Sequence, residues 1–329
     1  MSRITILQPG MMMTVQDAGR HGLLRFGVSR SGAMDPDAMV VANALVGNPA
    51  GAAVLEFAQF GGSLTLDEDR VIAACGDLFA LRINKTPVRP WESHLLRKGD
   101  ELSLGPMRET VWGYLAISGG IAADPVLGAR ATHLRSRLGG HEGRVLVKED
   151  RLPLGEPLSG ARAGHRLSRP WRGRAGAIHV VMGPQDDYFA PETIACFLSA
   201  PYRIGTKRDR MALVLEGPEL PARKGHDIVS DGTLAGSIQV PGAGLPIVLM
   251  ADRQTTGGYP KIATIASVDL ARLGQMPSGR AFRFRKIGAD HAEELLIARQ
   301  KALALALEDL DPAKVGAPVG ASPRPFSAG

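Results

Sequence analysis

Between Ala251 and Ile265 the chain reads ADRQTTGGYPKIATI, directly after the apolar run PIVLM. An acid (Asp252), a guanidinium (Arg253), an amide (Gln254), two hydroxyls (Thr255, Thr256), a Gly257-Gly258 turn, Tyr259 and Lys261 stand almost side by side. That set supplies donors, acceptors and both signs of charge. It sits where the apolar run predicts the end of a buried strand, the usual place for a functional loop. The paired glycines give positive φ or let a ligand approach the backbone. The same string also reads as a plain β-turn with Tyr259 as a packing residue.

Other residues of suitable chemistry lie beside predicted elements. GPQDDYF places Gln185, Asp186 and Asp187 after the strand IHVVMG and before a helix. Adjacent acids there cap the helix or serve as base and acceptor; capping suits Asp187, and Asp186 is the functional choice. Gln16, Asp17 and Arg20 read as a polar turn after the N-terminal strand, with Arg20 a structural partner of Asp17. Ser31 and Asp35 precede a helix N-terminus, a ready anion site, although Asp35 as cap takes some of its donors. His141 and Glu142 in GGHEGR suit a turn, since neighbours on a strand point to opposite faces. The 8 histidines show no HxH or HExxH spacing, so no metal is expected. Cys75 and Cys196 sit alone in apolar surroundings and read as reduced thiols.

The scaffold that must position these groups reads as mainly β. The 329 residues are 44% hydrophobic and 5% aromatic, with 40 Gly and 23 Pro, a balance that supports a full core with many turns. Short apolar or alternating runs recur between Gly, Pro and Asp: ITILQ, AVLEFA, SLTL, RVIAAC, ELSLG, VWGYLAIS, IHVVMG, MALVLEG, GSIQVPG, PIVLMA, IATIAS and AFRFRKI. Three helices have end signals or composition: MDPDAMVVANALVGNP with Asp35 as N-cap and Pro36 at the first position, about Pro191 to Leu198, and ADHAEELLIARQKALALALEDL, with Leu295, Leu296 and Leu303 available for docking. The Pro, Gly, Ala and Ser tail after Asp311 is expected to be mobile. No stretch approaches the roughly 20 apolar residues of a membrane span. The start MSRITILQPG lacks a signal-peptide apolar region, so a soluble cytoplasmic protein is expected.

The net charge of +6 owes much to ARAGHRLSRPWRGRAG, in which Arg162, Arg166, Arg169, Arg172 and Arg174 meet no acid. With Pro170 and several glycines it reads as a solvated linker or a docking surface. Only Trp171 could stack on a base, so nucleic acid is not an expected partner. RFGVSRSGAMD from Arg25 resembles RIGTKRDRM from Arg203, each followed by a Leu-Glu pair, Leu55 with Glu56 and Leu215 with Glu216. A Gly-Gly turn follows in each half, at Gly119 and Gly257. This faint repeat suggests two related barrels, with ligands where they face each other.

Seven motifs in order carry a family resemblance: TVQDAGRHG from Thr14, GVSRSGAMD from Gly27, ANALVGNPAGAAVLE from Ala42, GGHEGR from Gly139, GPQDDYF from Gly183, SDGTLAGSIQVPG from Ser230 and ADRQTTGGYPKIAT from Ala251. Together they resemble the biotin-dependent carboxyltransferase family. It includes the carboxyltransferase domain of urea carboxylase (urea amidolyase), allophanate hydrolase subunit 2, the antagonist of the kinase inhibitor KipI, and the C subunit of 5-oxoprolinase. The resemblance implies two cyclophilin-like β-barrel domains, 1–170 and 176–288, followed by a C-terminal helix and tail over 289–329. It also implies a KipI-like partner, the B subunit of such a complex, and a LamB-like partner, the A subunit.

Two chemistries follow from that resemblance. In one the chain is the C subunit of an ATP-dependent 5-oxoprolinase, opening 5-oxoproline to glutamate with ATP used by the assembled complex. In the other it moves carboxylate from carboxybiotin, delivered by a partner, to urea or a related amide. A third possibility is a non-catalytic antagonist of a KipI-like protein. No biotinyl lysine in an MKM setting and no GxxxxGK[ST] loop occurs, so neither covalent biotin nor an ATP site of its own is expected. A small amide or lactam needs donors to its carbonyl and an acceptor for its N–H. Lys261 and Arg253 suit the first role, Asp252 or Gln254 the second, and Thr255 and Thr256 either; Lys261, Asp186 and Asp252 are the catalytic candidates. Gln16, Ser31, Asp35, Gln185, Gly257, Gly258 and Tyr259 complete the expected binding set. Ala212 and Leu213 in RDRMALVLEGP, and Arg30 in place of Pro or a small apolar residue, depart from the family pattern.

Overall fold

A computed structural model describes residues 2–78, 80–167, 171 and 175–312. Alternating apolar residues form two barrel-like sheets, one from each half of the chain. The first contains β1 (Arg3–Gln16), β2 (Val54–Leu66), β3 (Arg70–Cys75), β4 (Leu81–Ile83), β5 (Thr86–Pro87), β6 (Ser93–Leu96), β7 (Glu101–Pro106), β8 (Trp112–Ile117) and β9 (Arg151–Pro153). Its order is β5-β4-β7-β2-β8-β3-β6, with β1 pairing both β2 and β9. AVLEFA and SLTL, read as separate strands, are one strand. The reason is a bulge at Gly61 and Gly62, where Gly62 has φ +70° and an added Cβ would lie 2.1 Å from the Gln8 carbonyl. Only glycine lets the two long strands cross that closely.

The short strand β10 (His165–Leu167) follows. The second sheet contains β11 (Ile178–Met182), β12 (Tyr202–Arg208), β13 (Ala212–Glu216), β15 (Ser237–Gln239), β16 (Ile247–Leu249), β18 (Lys261–Ile265), β19 (Ala281–Phe282) and β20 (Phe284–Lys286), in the order β19-β12-β13-β16-β15-β18-β11-β20. A two-rung ribbon joins β14 (Asp231–Gly232) to β17 (Thr256–Gly257). β21 (Leu310–Pro312) pairs with β10. That pairing corrects the linker reading of the Arg-rich segment in part: its backbone from His165 to Leu167 is a strand. Arg169, Pro170, Arg172 and Arg174 lie outside the described residues, as does the tail beyond residue 312.

Helices α1 (Pro36–Leu45), α2 (Pro191–Ser199) and α4 (Ala289–Glu308) fall where the sequence predicts them. Asp35 caps α1 by accepting from Ala38 N at 3.2 Å, and Leu303 of α4 packs against the core. The cap expected at Asp187 is not made. Ala190 occupies that position with no side-chain bond, and Asp187 is exposed and pairs with Lys224. One helix has no sequence signal, α3 (Ser267–Gln275), whose N-cap is Ala266 with no capping side chain. The faint repeat is not carried through locally: residues 203–208 form β12, whereas residues 25–35 are a 3-10 turn and loop.

One apolar cluster spans both halves, from Met34, Val41 and Leu45 to Ile178, Phe197 and Ile262. Crossing it is a buried ion network. Arg210, 1% exposed, meets Glu56 of β2 through Nη1 and donates to Asp252 through Nε at 2.9 Å and Nη2 at 3.0 Å. Its Nη2 also donates to the Gly32 carbonyl at 2.7 Å. Glu56 in turn accepts from Met34 N at 2.8 Å and Tyr114 OH at 2.8 Å. Burial pushes the Glu56 carboxyl up while Arg210 and these donors pull it back. Burial opposes the charge on Arg210, but Asp252 and Glu56 outweigh it and hold the guanidinium protonated. From α3, Gln275 donates to Asp35 Oδ2 at 3.0 Å and accepts from Trp112 N at 2.8 Å, a second tie between the halves. Replacing Arg210 by Met leaves two uncompensated buried carboxylates and is expected to cost about 3–5 kcal/mol, read as a lower urea midpoint. Glu56→Gln, which leaves the Asp252 pairing in place, should cost less in the same assay.

Candidate functional site

The loop after β16 is held from both sides. Asp252 is 3% exposed and both its oxygens face Arg210. Its carbonyl accepts from His133 Nε2 at 3.3 Å, with the imidazole oriented by Ser136 N at 3.1 Å on Nδ1. Since Nδ1 is the acceptor, the ring proton resides on Nε2. Ser29 Oγ donates to the Ala251 carbonyl at 3.2 Å. Two groups of the first half, Ser29 and His133, thereby fix the start of a loop that belongs to the second. Asp252 is a strut, its charge committed to Arg210.

The centre of the loop builds a polar cluster on β15, β17 and β18. Lys261 is 2% exposed and its Nζ donates to Asp231 Oδ2 at 2.7 Å. Gln185 bridges the same pair: its Oε1 accepts from Lys261 N at 3.1 Å and its Nε2 donates to Asp231 Oδ2 at 3.2 Å. Opposite Lys261 in register stands Gln239, 2% exposed, whose Oε1 accepts from Gln254 Nε2 at 3.2 Å. The Gln239 Nε2 is buried with no partner among the described residues, an unused donor that a ligand carbonyl would satisfy. Thr233 Oγ1 donates to the Gln254 carbonyl. Thr255 accepts through its carbonyl from Thr233 N at 3.0 Å, and Gly258 accepts from Ile228 N at 2.9 Å.

Gly257 is where this cluster demands glycine. A Cβ there would lie 2.3 Å from Gln239 Nε2. Thr256 and Tyr259 are exposed, so Tyr259 is not the packing residue that a plain turn would require. Asp231 has a side chain 50% exposed, and hydrogen bonding from Lys261 and then Gln185 holds its carboxyl below the usual range.

The remaining candidates divide. Asp186 is half-buried in a 3-10 turn, Asp186–Tyr188, next to Gln185. Ser31 is buried beside the Ser29 contact, with φ +55° and an Oγ lacking a partner among the described residues. Gln16 ends β1 instead of lying in a turn; it is fully buried and donates to Thr14 Oγ1 and the Thr132 carbonyl. The anion site expected at α1 is filled by the Asp35 carboxylate, which also accepts from Gln275. Arg20 is structural, but it donates to the Val126 and Ala131 carbonyls, while Asp17 accepts from Gly19 N and Arg130 N. His141 lies in a turn, with Nε2 3.3 Å from Asp150. Reading residue types missed Asp231, Gln239, Glu56, Arg210 and His133. Asp231 and Gln239 stand within SDGTLAGSIQVPG, one of the motifs that carry the family resemblance, and that was the available signal.

No group of three His, Cys, Asp or Glu that could hold a metal occurs among the described residues. A cavity of about 100 Å³ adjoins Arg210, Met211 and Asp252 at the junction. A larger one of about 300 Å³, beside Pro201 and Phe282, lies away from the polar cluster. No described helix is long and apolar enough to cross a membrane.

Two barrel-like sheets, locked by a buried ion network and sharing a loop with a buried lysine, define a two-barrel protein with a polar site at the edge of its second sheet. The pattern of the carboxyltransferase domain, subdomain A and B, matches residues 26–286, and the chain belongs to that family. It is 36% identical to the 5-oxoprolinase C subunit of Escherichia coli over 298 residues, covering 90% of this chain and 94% of that one. Identity to the urea amidolyase of Lachancea kluyveri is 29%, over 88% of this chain and 17% of that one. Among solved structures, the urea carboxylase of Kluyveromyces lactis superposes with a TM-score of 0.84 at 25% identity, over 99% of this chain and 32% of that one. TTHA0988 superposes with a TM-score of 0.76 at 36% identity, and the chain spans 55% of its length.

Gly257→Ala should push Gln239 off Gln254 at a cost of about 1–3 kcal/mol, measured by thermal unfolding. For Asp231, whose folded pKa lies below its unfolded value of about 3.9, the pairing with Lys261 is fully present above that value. It is lost as the pH falls through the depressed pKa, which an NMR titration of the Asp231 carboxyl would follow.

Proposed function

We propose that the chain is the carboxyltransferase-family member, the C subunit, of an ATP-dependent 5-oxoprolinase. It works in the cytoplasm with a KipI-like and a LamB-like partner and opens the lactam of 5-oxoproline to glutamate. The observation that carries the reading is the likeness to the 5-oxoprolinase C subunit over nearly the full length of both chains, joined to a loop chemistry suited to an amide. In ring opening, water adds across the lactam C–N bond: the carbonyl carbon gains the hydroxyl, the nitrogen gains the proton, and ATP hydrolysis in the complex drives the reaction forward. Charge grows on the carbonyl oxygen as water adds. The Lys261 ammonium, little hydrated and oriented by Asp231, is the group that meets it. Gln239 Nε2 supplies a neutral donor, and Gln254 or Asp186 accepts from the lactam N–H. The bond to Asp231 uses one of the three donors of the ammonium, and the half-exposed side of Asp231 is where substrate would enter.

Carboxyl transfer from carboxybiotin to urea is the second reading, favoured by the match of 99% of this chain to the Kluyveromyces lactis urea carboxylase. Mixing the chain with both partners, ATP and 5-oxoproline is expected to release glutamate. Lys261→Met should lower kcat by about 10²–10³-fold while co-purification of the partners is unchanged. Carboxylation of urea in the presence of carboxybiotin, with no glutamate formed, would overturn the first reading in favour of the second. No turnover by either route, with a tight complex indifferent to Lys261, would leave the antagonist role.

A further inference from the structure

Arg253 has no part in the lactam chemistry above, yet it is 4% exposed and its Nε is buried without a hydrogen-bond partner among the described residues. Its sequence neighbour Asp252 is turned away, with both oxygens on Arg210. Burial, and then the like charge of Arg30, lower the pKa of Arg253. Arg30 is exposed and steadied by the Ala18 carbonyl, with Nη2 at 3.3 Å, and by His21 Nε2 at 3.4 Å. It belongs to the strip Ser29 to Ser31, which is seated on the loop by the bond from Ser29 to Ala251. The Ser31 Oγ of that strip is a second buried polar atom with no partner among the described residues. A buried guanidinium whose Nε has no acceptor among the described residues is electrostatically incomplete, and a carboxylate matched to the planar fork completes it.

We propose that Arg253, with Ser31 and Arg30 across the junction, forms a carboxylate-binding site, and that its occupant is the carboxylate of the substrate. The proposal rests on the lactam reading of the neighbouring cluster and deepens it. Arg253 immediately precedes Gln254, whose amide is bonded to Gln239 opposite Lys261, so consecutive loop residues serve the charged end and the amide end of one small molecule. A lactam without a carboxylate, or urea, would leave Arg253 unanswered.

The test is a ligand-observed NMR titration of the full chain with 5-oxoproline, with 2-pyrrolidone (the same ring lacking the carboxylate), with acetate and with inorganic phosphate. Wild type is expected to bind 5-oxoproline at least about tenfold more tightly than 2-pyrrolidone, the scale of one charge-assisted contact. Arg253→Gln should erase that preference, Arg253→Lys should restore part of it, and Arg30→Gln should reduce it, all without changing 2-pyrrolidone affinity. Far-UV circular dichroism confirms that each variant is folded. Equal binding of the two lactams by wild type, a preference that survives Arg253→Gln, tighter binding of phosphate than of any carboxylate, or no carboxylate binding at all would each overturn the site. The two readings fail separately. Acetate binding that depends on Arg253, with no binding of either lactam, keeps the carboxylate site and removes the lactam. Turnover of 5-oxoproline by the complex with KM unchanged in Arg253→Gln does the reverse.

Discussion

The pairing of Arg210 with Glu56 and Asp252 is the interaction on which the rest of the arrangement depends. Three charges removed from water carry a large desolvation cost, and the network is tolerable because nearly every donor and acceptor in it is used. Glu56 has a guanidinium, a backbone amide and a phenol; Asp252 has both oxygens on Arg210. Arg20, also buried, adds further attraction toward Asp252 and balances the excess of carboxylate. The network cannot be satisfied by one half of the chain alone. Glu56, Gly32 and Tyr114 come from the first sheet and its loops, Arg210 and Asp252 from the second.

That dependence explains why a loop in the second half is organised by residues from the first. Asp252 fixes the loop's entry, and Ser29 and His133 hold its backbone from the opposite side. The residues that follow are then free to differ in role. Arg253 lies in the field of Arg30, Gln254 reaches Gln239, and the ribbon of β14 and β17 brings Asp231 onto Lys261. A lysine with so little exposure keeps a stronger field than one in water, and Asp231 sets its direction.

Much of this was legible in residue order, and the parts that were not have identifiable physical causes. Strands announced themselves through alternation, and α1 through Asp35 and Pro36, because those signals are local. Helix α3 was silent because its N-cap is Ala266 and its nine residues follow a β-branched strand without a break. The loop at Ala251 stood out by its mixture of residue types, and the structure bonds Gln185 to Lys261 within it. What could not be read was which acid faces which base. Asp252 looks as available as Asp231 in sequence. Their roles part only because Arg210, forty-two residues upstream of Asp252, takes both oxygens of one, while the ribbon presents the other to Lys261. Gln16 looked like a turn residue because the first strand continues past its glycine and methionine run, which only the bulged pairing with β2 makes possible.

The ribbon of β14 and β17 has only two paired positions on each side, and it lies over a lysine that solvent scarcely reaches. So short a ladder has little cooperativity of its own and opens locally at small free-energy cost. Each opening would bare the ammonium to solvent, and its reactivity toward amine-directed reagents would then be a clock for that motion.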